Sequence, residues 1–164
     1  MKFLVRNNYL HAENESFRCA IGLNGLTMNK IEGDLSTPIG EFMFEKIFYR
    51  LDKLGSIKFL IPSSPILKDD GWCDDPSSKF YNQHVKFPFD KSAERLYRED
   101  DLYDLICVLN YNTNPIVPGK GSAIFLHICR EDFAKTQGCV AIEKHNLLNL
   151  SKRIDNTTSI VIEA

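Results

Sequence analysis

The sequence predicts a mainly β sandwich or barrel carrying one or two helices. Three observations carry that expectation. Short apolar or alternating runs rich in Val, Ile, Phe and Tyr recur along the whole chain, and runs of about 4–8 such residues favour strands. Clusters of Gly, Pro, Asn and Asp separate them. Helical spacing of apolar residues is confined to two segments.

Taken in order, residues 2–5 predict a short first strand, and residues 17–23, 41–50, 57–61, 105–110, 123–129, 139–142 and 159–163 predict further strands. Turn signals fall at residues 22–25, 34–40, 62–65 and 115–121, where Gly and Pro set backbone angles that strands do not continue. Residues 91–104 are polar and carry Ala93, Leu96 and Tyr97 at helical spacing, which predicts a helix. Residues 144–154 place Leu147, Leu148, Leu150 and Ile154 on one stripe and predict a second, amphipathic one. Residues 69–88, opening DDGWCDDPSS, read as turn-rich.

A chain of 164 residues fits one domain, residues 1–164. Its 43% hydrophobic and 26% charged residues are ordinary for a globular protein and exclude a disordered one. Lys and Arg number 20 against 22 Asp and Glu. With no basic field and no basic cluster, neither nucleic acid nor a membrane surface is expected as a partner. No run approaches the ~20 apolar residues of a membrane helix. The chain opens MKFLVRNNYLHAENESF, and its apolar run stops at Val5. A secretory signal needs roughly 7–15 continuous apolar residues. A cytoplasmic location is therefore expected, or a periplasmic one where a leader has been removed.

The five cysteines are Cys19, Cys73, Cys107, Cys129 and Cys139, an odd number without a CxxC pair. That pattern predicts reduced thiols, with no metal site and no cofactor. Cys19, Cys107 and Cys129 lie inside apolar runs and read as core residues. Cys73 stands beside Asp74 and Asp75, and acidic neighbours disfavour a thiolate.

Cys139 differs. In GSAIFLHICREDFAKTQGCVAI, residues 121–142, an apolar strand delivers His127, a polar loop follows, and Thr136-Gln137-Gly138-Cys139 opens the next apolar run. A thiol attacks as thiolate, and an imidazole within reach can take its proton. Gly138 lets the main chain turn sharply, and the N–H groups of Gly138 and Cys139 are candidate donors to an oxyanion. On residue types alone, a Cys in such an apolar run is more often a small core residue than a nucleophile, and Cys139 is a candidate for either.

These residues carry a resemblance. A strand-borne His, a spacer and then Ser/Thr-x-Gly-Cys, here His127 and Thr136-Gln137-Gly138-Cys139, resembles the signature of the YkuD-type L,D-transpeptidase catalytic domain. Upstream, Lys30-Ile31-Glu32-Gly33-Asp34-Leu35-Ser36-Thr37-Pro38-Ile39-Gly40-Glu41-Phe42 is similar to that family's K-x-G-D-x-x-T-P-x-G-x-F turn and strand. The two elements appear in the family's order. The chain departs from many members in having Ala141 where an Arg or Asn stands and Ile128 where a Gly follows the His. The upstream element reads first as a structural turn beneath the site.

The resemblance implies a YkuD-like β fold and a cysteine enzyme acting on peptidoglycan stem tetrapeptides or muropeptides. Cys139 would attack the carbonyl of the third, diamino residue, His127 would shuttle the proton, and terminal D-Ala would leave. Water as acceptor makes an L,D-carboxypeptidase of muropeptide recycling, which the apparent lack of a leader favours. An amine as acceptor makes an L,D-transpeptidase forming 3–3 cross-links. Candidate substrate-binding residues are Trp72, Tyr111, Asn112, Arg130 and Gln137, with Arg95 and Arg98 as weaker ones. Residues 69–112, outside the shared motif, are expected to form a wall or lid. An inactive peptidoglycan-binding module is the alternative of another class, against which the presence of both Cys139 and His127 speaks. A papain-like enzyme is disfavoured because that fold places its Cys before its His.

Overall fold

A computed structural model describes residues 1–164. The strands are β1 (Lys2–Arg6), β2 (Tyr9–Ala12), β3 (Glu15–Arg18), β4 (Leu26–Thr27), β5 (Thr37–Pro38), β6 (Gly40–Tyr49), β7 (Ser63–Pro65), β8 (Asp70–Cys73), β9 (His84–Lys86), β10 (Ala93–Arg95), β11 (Leu105–Leu109), β12 (Phe125–Ile128), β13 (Val140–Ile142) and β14 (Ser159–Ile162). The helices are α1 (Leu51–Leu54) and α2 (Lys144–Ser151). No helix is long and apolar enough to cross a membrane.

One large sheet runs in the order β13-β12-β11-β6-β14-β1-β2-β3, and β7 pairs with β6 where β14 has ended. The chain leaving β3 then returns to the opposite edge. Ala20 and Ala141 exchange backbone hydrogen bonds of 2.8 and 2.9 Å, so the sheet closes into a barrel with no free edge at that point. Inside it, Phe3, Val5, Leu10, Ile47, Leu126, Ile128, Val140 and Ile160 belong to the main core, to which α2 adds Leu147 and Leu150.

A second layer covers the outer face of β6, β11 and β12. Side chains of a strand alternate between faces, and β11 shows the division. Leu105, Cys107 and Leu109 point into the barrel, while Ile106 and Val108 join a separate cluster with Phe48, Ile66, Trp72, Leu96, Tyr103, Phe125 and Cys139. A three-stranded sheet, β10-β8-β9, contributes Trp72 to this layer. Because both faces are covered, β11 and β12 are buried at every position.

Four expectations need correction. Of residues 17–23, expected as a strand, only Phe17 and Arg18 lie in one, at the end of β3, and Ala20 and Gly22 make isolated bridges. Residues 91–104 are not a helix: Ala93, Glu94 and Arg95 pair with Cys73, Trp72 and Gly71, and the rest is turns. The apparent helical stripe splits between two partners, Leu96 going into the second cluster and Tyr97 under the Arg50 guanidinium. Residues 57–61 form no strand, and pairing with β6 begins only after Pro62, whose carbonyl accepts the Ile47 N–H. Residues 69–88, read as turns, hold β8 and β9. Strand β2 was also not foreseen. Asn7 and Asn8 both take positive φ, 52° and 61°, as a two-residue hairpin turn requires.

Candidate active site

The parallel pairing of β12 with β13 sets the geometry. His127 lies beside Ala141 and Leu126 beside Val140. Leu126 and Val140 face the barrel interior, so Phe125, His127, Cys139 and Ala141 share the outer face. There His127 and Cys139 line one cavity of about 550 Å3. Residues 69–112 build part of its wall through Asp74, Glu94, Arg98, Leu102 and Tyr103.

The loop before Cys139 is held tightly. The Thr136 hydroxyl donates to the Cys139 carbonyl at 2.6 Å and accepts the Gly138 N–H at 3.1 Å. Thr37 adds a longer contact to the same carbonyl, 3.4 Å. Gly138 has φ +140°, and a Cβ there would stand 2.9 Å from the Ser36 carbonyl oxygen. Only glycine fits that approach without strain. Ser36 and Thr37 belong to the upstream element, itself tied together at Asp34, which accepts from the N–H groups of Ile31 and Ser36 and pairs with buried Lys30. This element therefore buttresses the Cys139 loop. The Gly138 N–H is spent on Thr136, whereas the N–H of Cys139 donates to no group in the protein.

The thiol is nearly enclosed. Cys139 Sγ donates to the Ala123 carbonyl at 3.1 Å and accepts the Phe125 N–H at 3.3 Å. Burial pushes its pKa up to about 12, the charge of Glu94 adds to the rise, and the Phe125 N–H and Lys30 oppose it. His127 Nδ1 lies 2.9 Å from the Ile128 carbonyl. A carbonyl only accepts, so Nδ1 carries the proton and Nε2 presents a lone pair. Burial holds the imidazole down at about 4, against the help of the Ile128 carbonyl. Tyr103 meets the ring edge-on at 5.2 Å. At neutral pH the thiol and the imidazole are thus both uncharged, and the imidazole holds one tautomer.

Of the remaining candidates, Arg130, Gln137 and Arg98 line the cavity. Trp72 lies beneath it, edge-on to Phe125 at 5.2 Å, with its indole N–H on Asn82. Tyr111 packs against Phe42 and ties its hydroxyl to the Lys120 carbonyl. Asn112 closes the loop that follows it, donating to the carbonyls of Val117 and Gly121. Arg95 stacks on Phe87 elsewhere. The other four cysteines are buried as well. Burial raises the Cys19 thiol to about 12 and lifts Cys107 and Cys129 too. Sequence reasoning missed Glu32, Asp74, Glu94 and Tyr103, which also line the cavity. The paired acids of GWCDDP were the one signal for Asp74.

The family model described as L,D-transpeptidase catalytic domain (YkuD) matches residues 2–162. No curated protein matches the chain.

Proposed function

The chain belongs to the YkuD family of L,D-transpeptidase catalytic domains, enzymes that act on peptidoglycan, and from that premise we propose that Cys139 carries an acyl group from a stem tetrapeptide. The Sγ atom attacks the carbonyl of the third residue while His127 Nε2 takes the thiol proton. The carbonyl oxygen becomes an oxyanion facing the unpartnered Cys139 N–H. Collapse breaks the C–N bond, and the departing D-Ala amine receives the proton from His127. A thioester on Cys139 remains.

We infer water as the acceptor, which makes the enzyme an L,D-carboxypeptidase releasing a tripeptide. The location that goes with this reading is cytoplasmic, on recycled muropeptides. The single observation carrying the reaction is the shared outer face. His127 and Cys139 open onto one cavity, with the imidazole tautomer fixed by the Ile128 carbonyl.

The test incubates purified protein and its Cys139→Ala variant with tetrapeptide muropeptides and weighs the products. Tripeptide from the wild type alone is expected, with an acyl adduct on Cys139 in quenched samples. Tripeptide from Cys139→Ala would defeat the thioester reading, and cross-linked dimers without tripeptide would defeat water as acceptor.

A further inference from the structure

Lys30 is the one buried lysine, its side chain 5% exposed. Its ammonium pairs with Asp34 and donates to the Ile31 carbonyl at 3.2 Å. The turn does not need that ammonium for closure, because the Asp34 carboxylate itself accepts the N–H groups of Ile31 and Ser36. Burying an ammonium is costly even when it is paired, and apolar replacements of such pairs are often neutral or stabilising. What distinguishes this lysine is what it lies between. A Cβ at Gly121 would stand 2.8 Å from Lys30 Cγ and 3.1 Å from its Cε, and a Cβ at Gly138 would stand 3.6 Å from its Nζ. Both glycines take positive φ, +102° and +140°, and each belongs to a segment that holds the sulfur. Two residues after Gly121, the Ala123 carbonyl accepts the Cys139 thiol. Gly138 is joined to Cys139 itself. The lysine stem fills a slot between these two segments, and its charged end reaches Gly138 without lining the cavity. Lys30 opposes burial in setting the Cys139 thiol, and its partner Asp34 leaves that effect standing.

We propose that Lys30 is a positioning residue for acyl transfer: its ammonium, held against Gly138, is the fixed positive charge that offsets negative charge as it builds on sulfur and then on the oxyanion. This rests on the reaction proposed above. Lys30 keeps its protons throughout, and the thiol proton still goes to His127 Nε2. A charge fixed before the reaction needs no reorganisation when the anion forms. In a site poor in water a unit charge also acts over several ångströms. Glu94 and Lys30 act on the sulfur in opposite senses, the acid disfavouring the thiolate and the lysine favouring it.

The test uses the full chain with Lys30→Met, and with Lys30→Met and Asp34→Asn together. Methionine is unbranched and of similar length, so it fills the slot without the charge. The double variant also removes the carboxylate left unpaired. Cys139 is alkylated with iodoacetate and with iodoacetamide, and the rates are read by peptide mass. Both reagents attack the same thiolate, so their ratio cancels the exposure of the thiol and reports the local charge. Loss of the cation is expected to lower the iodoacetate-to-iodoacetamide ratio about threefold in both variants. Single-turnover acylation of Cys139 by a tetrapeptide is expected to slow about tenfold at saturation. Its half-saturating concentration should stay within about twofold of the wild type, because Lys30 does not line the cavity. The double variant decides if Lys30→Met alone fails to fold. A double variant that matches the wild type in either the ratio or the saturated rate overturns the proposal and leaves Lys30 as one half of a structural pair. No acylation of wild-type Cys139 overturns the reaction, whereas a lowered alkylation ratio still supports the charge at the thiol.

Discussion

The protonation state of Cys139 decides how this site works, and it is measurable. With the thiol held at about 12, its thiolate fraction at pH 7 is on the order of 10⁻⁵, against about 10⁻² for an unperturbed thiol near 9. The more basic thiolate is intrinsically more nucleophilic, with a Brønsted slope of about 0.4–0.5. Three pKa units therefore return a factor of roughly 20–30. The net expectation is alkylation by iodoacetamide about 30- to 60-fold slower than that of a free cysteine, before any steric shielding. The decisive readout is the slope. Alkylation of Cys139, located by peptide mass, should rise about tenfold per pH unit from pH 7 to pH 10 without a plateau. His127→Ala should leave that slope unchanged while lowering acylation by substrate, because the imidazole is a base for the bound reaction and not a partner in a resting ion pair. Acylation by substrate should instead stay level from pH 6 to pH 9 and fall as the pH drops through about 4, where His127 gains a proton and loses its lone pair. An alkylation rate independent of pH between 5 and 9 would mean a preformed thiolate–imidazolium pair and would refute this reasoning.

Two further expectations concern the frame around the site. Gly138→Ala puts a Cβ at 2.9 Å from the Ser36 carbonyl on a residue with φ +140°. It should cost about 1–3 kcal/mol, seen as a drop of several degrees in Tm by calorimetry, and a variant melting like the wild type would remove the close approach from the argument. Trp72→Ala should behave as a core truncation, costing about 3–5 kcal/mol in urea unfolding, since the ring is buried against Phe125 and Phe48. A small stability loss with a large rise in KM would instead mark Trp72 as a residue that touches substrate.

Strand positions were legible where they rest on local signals. The β6, β11, β12, β13 and β14 runs are apolar, short and bounded by turns, and the Leu147 and Leu150 stripe of α2 is equally local. Residues 91–104 misled because spacing of three or four residues arises in a strand and turn whose side chains meet different partners. Leu96 and Tyr97 do so here, one in the second cluster and one under Arg50. Closure of the barrel was invisible, because the Ala20–Ala141 bridge joins residues far apart in sequence that carry no pattern.

The candidate site divides the same way. Cys139 and His127 stood out through their spacing and the glycine between loop and strand. The acids did not, because a carboxylate in a loop reads as solvated until the fold turns it inward. Glu94 shows why. Its neighbours Ala93 and Arg95 share its strand, but only the pairing of Glu94 with Trp72 brings it against the outer face of the barrel. The same layer that buries Trp72 over Phe125 thereby delivers Asp74 and Glu94 to the cavity beside Cys139. Covering the outer face dries the thiol, which raises its pKa, and brings negative charge beside it, which raises it further. A thiol so disfavoured as an anion is protected from adventitious alkylation. In the proposed reaction it becomes reactive only when His127 takes its proton, and that coupling of protection to turnover would follow from placing the thiol between two layers and not on an open rim.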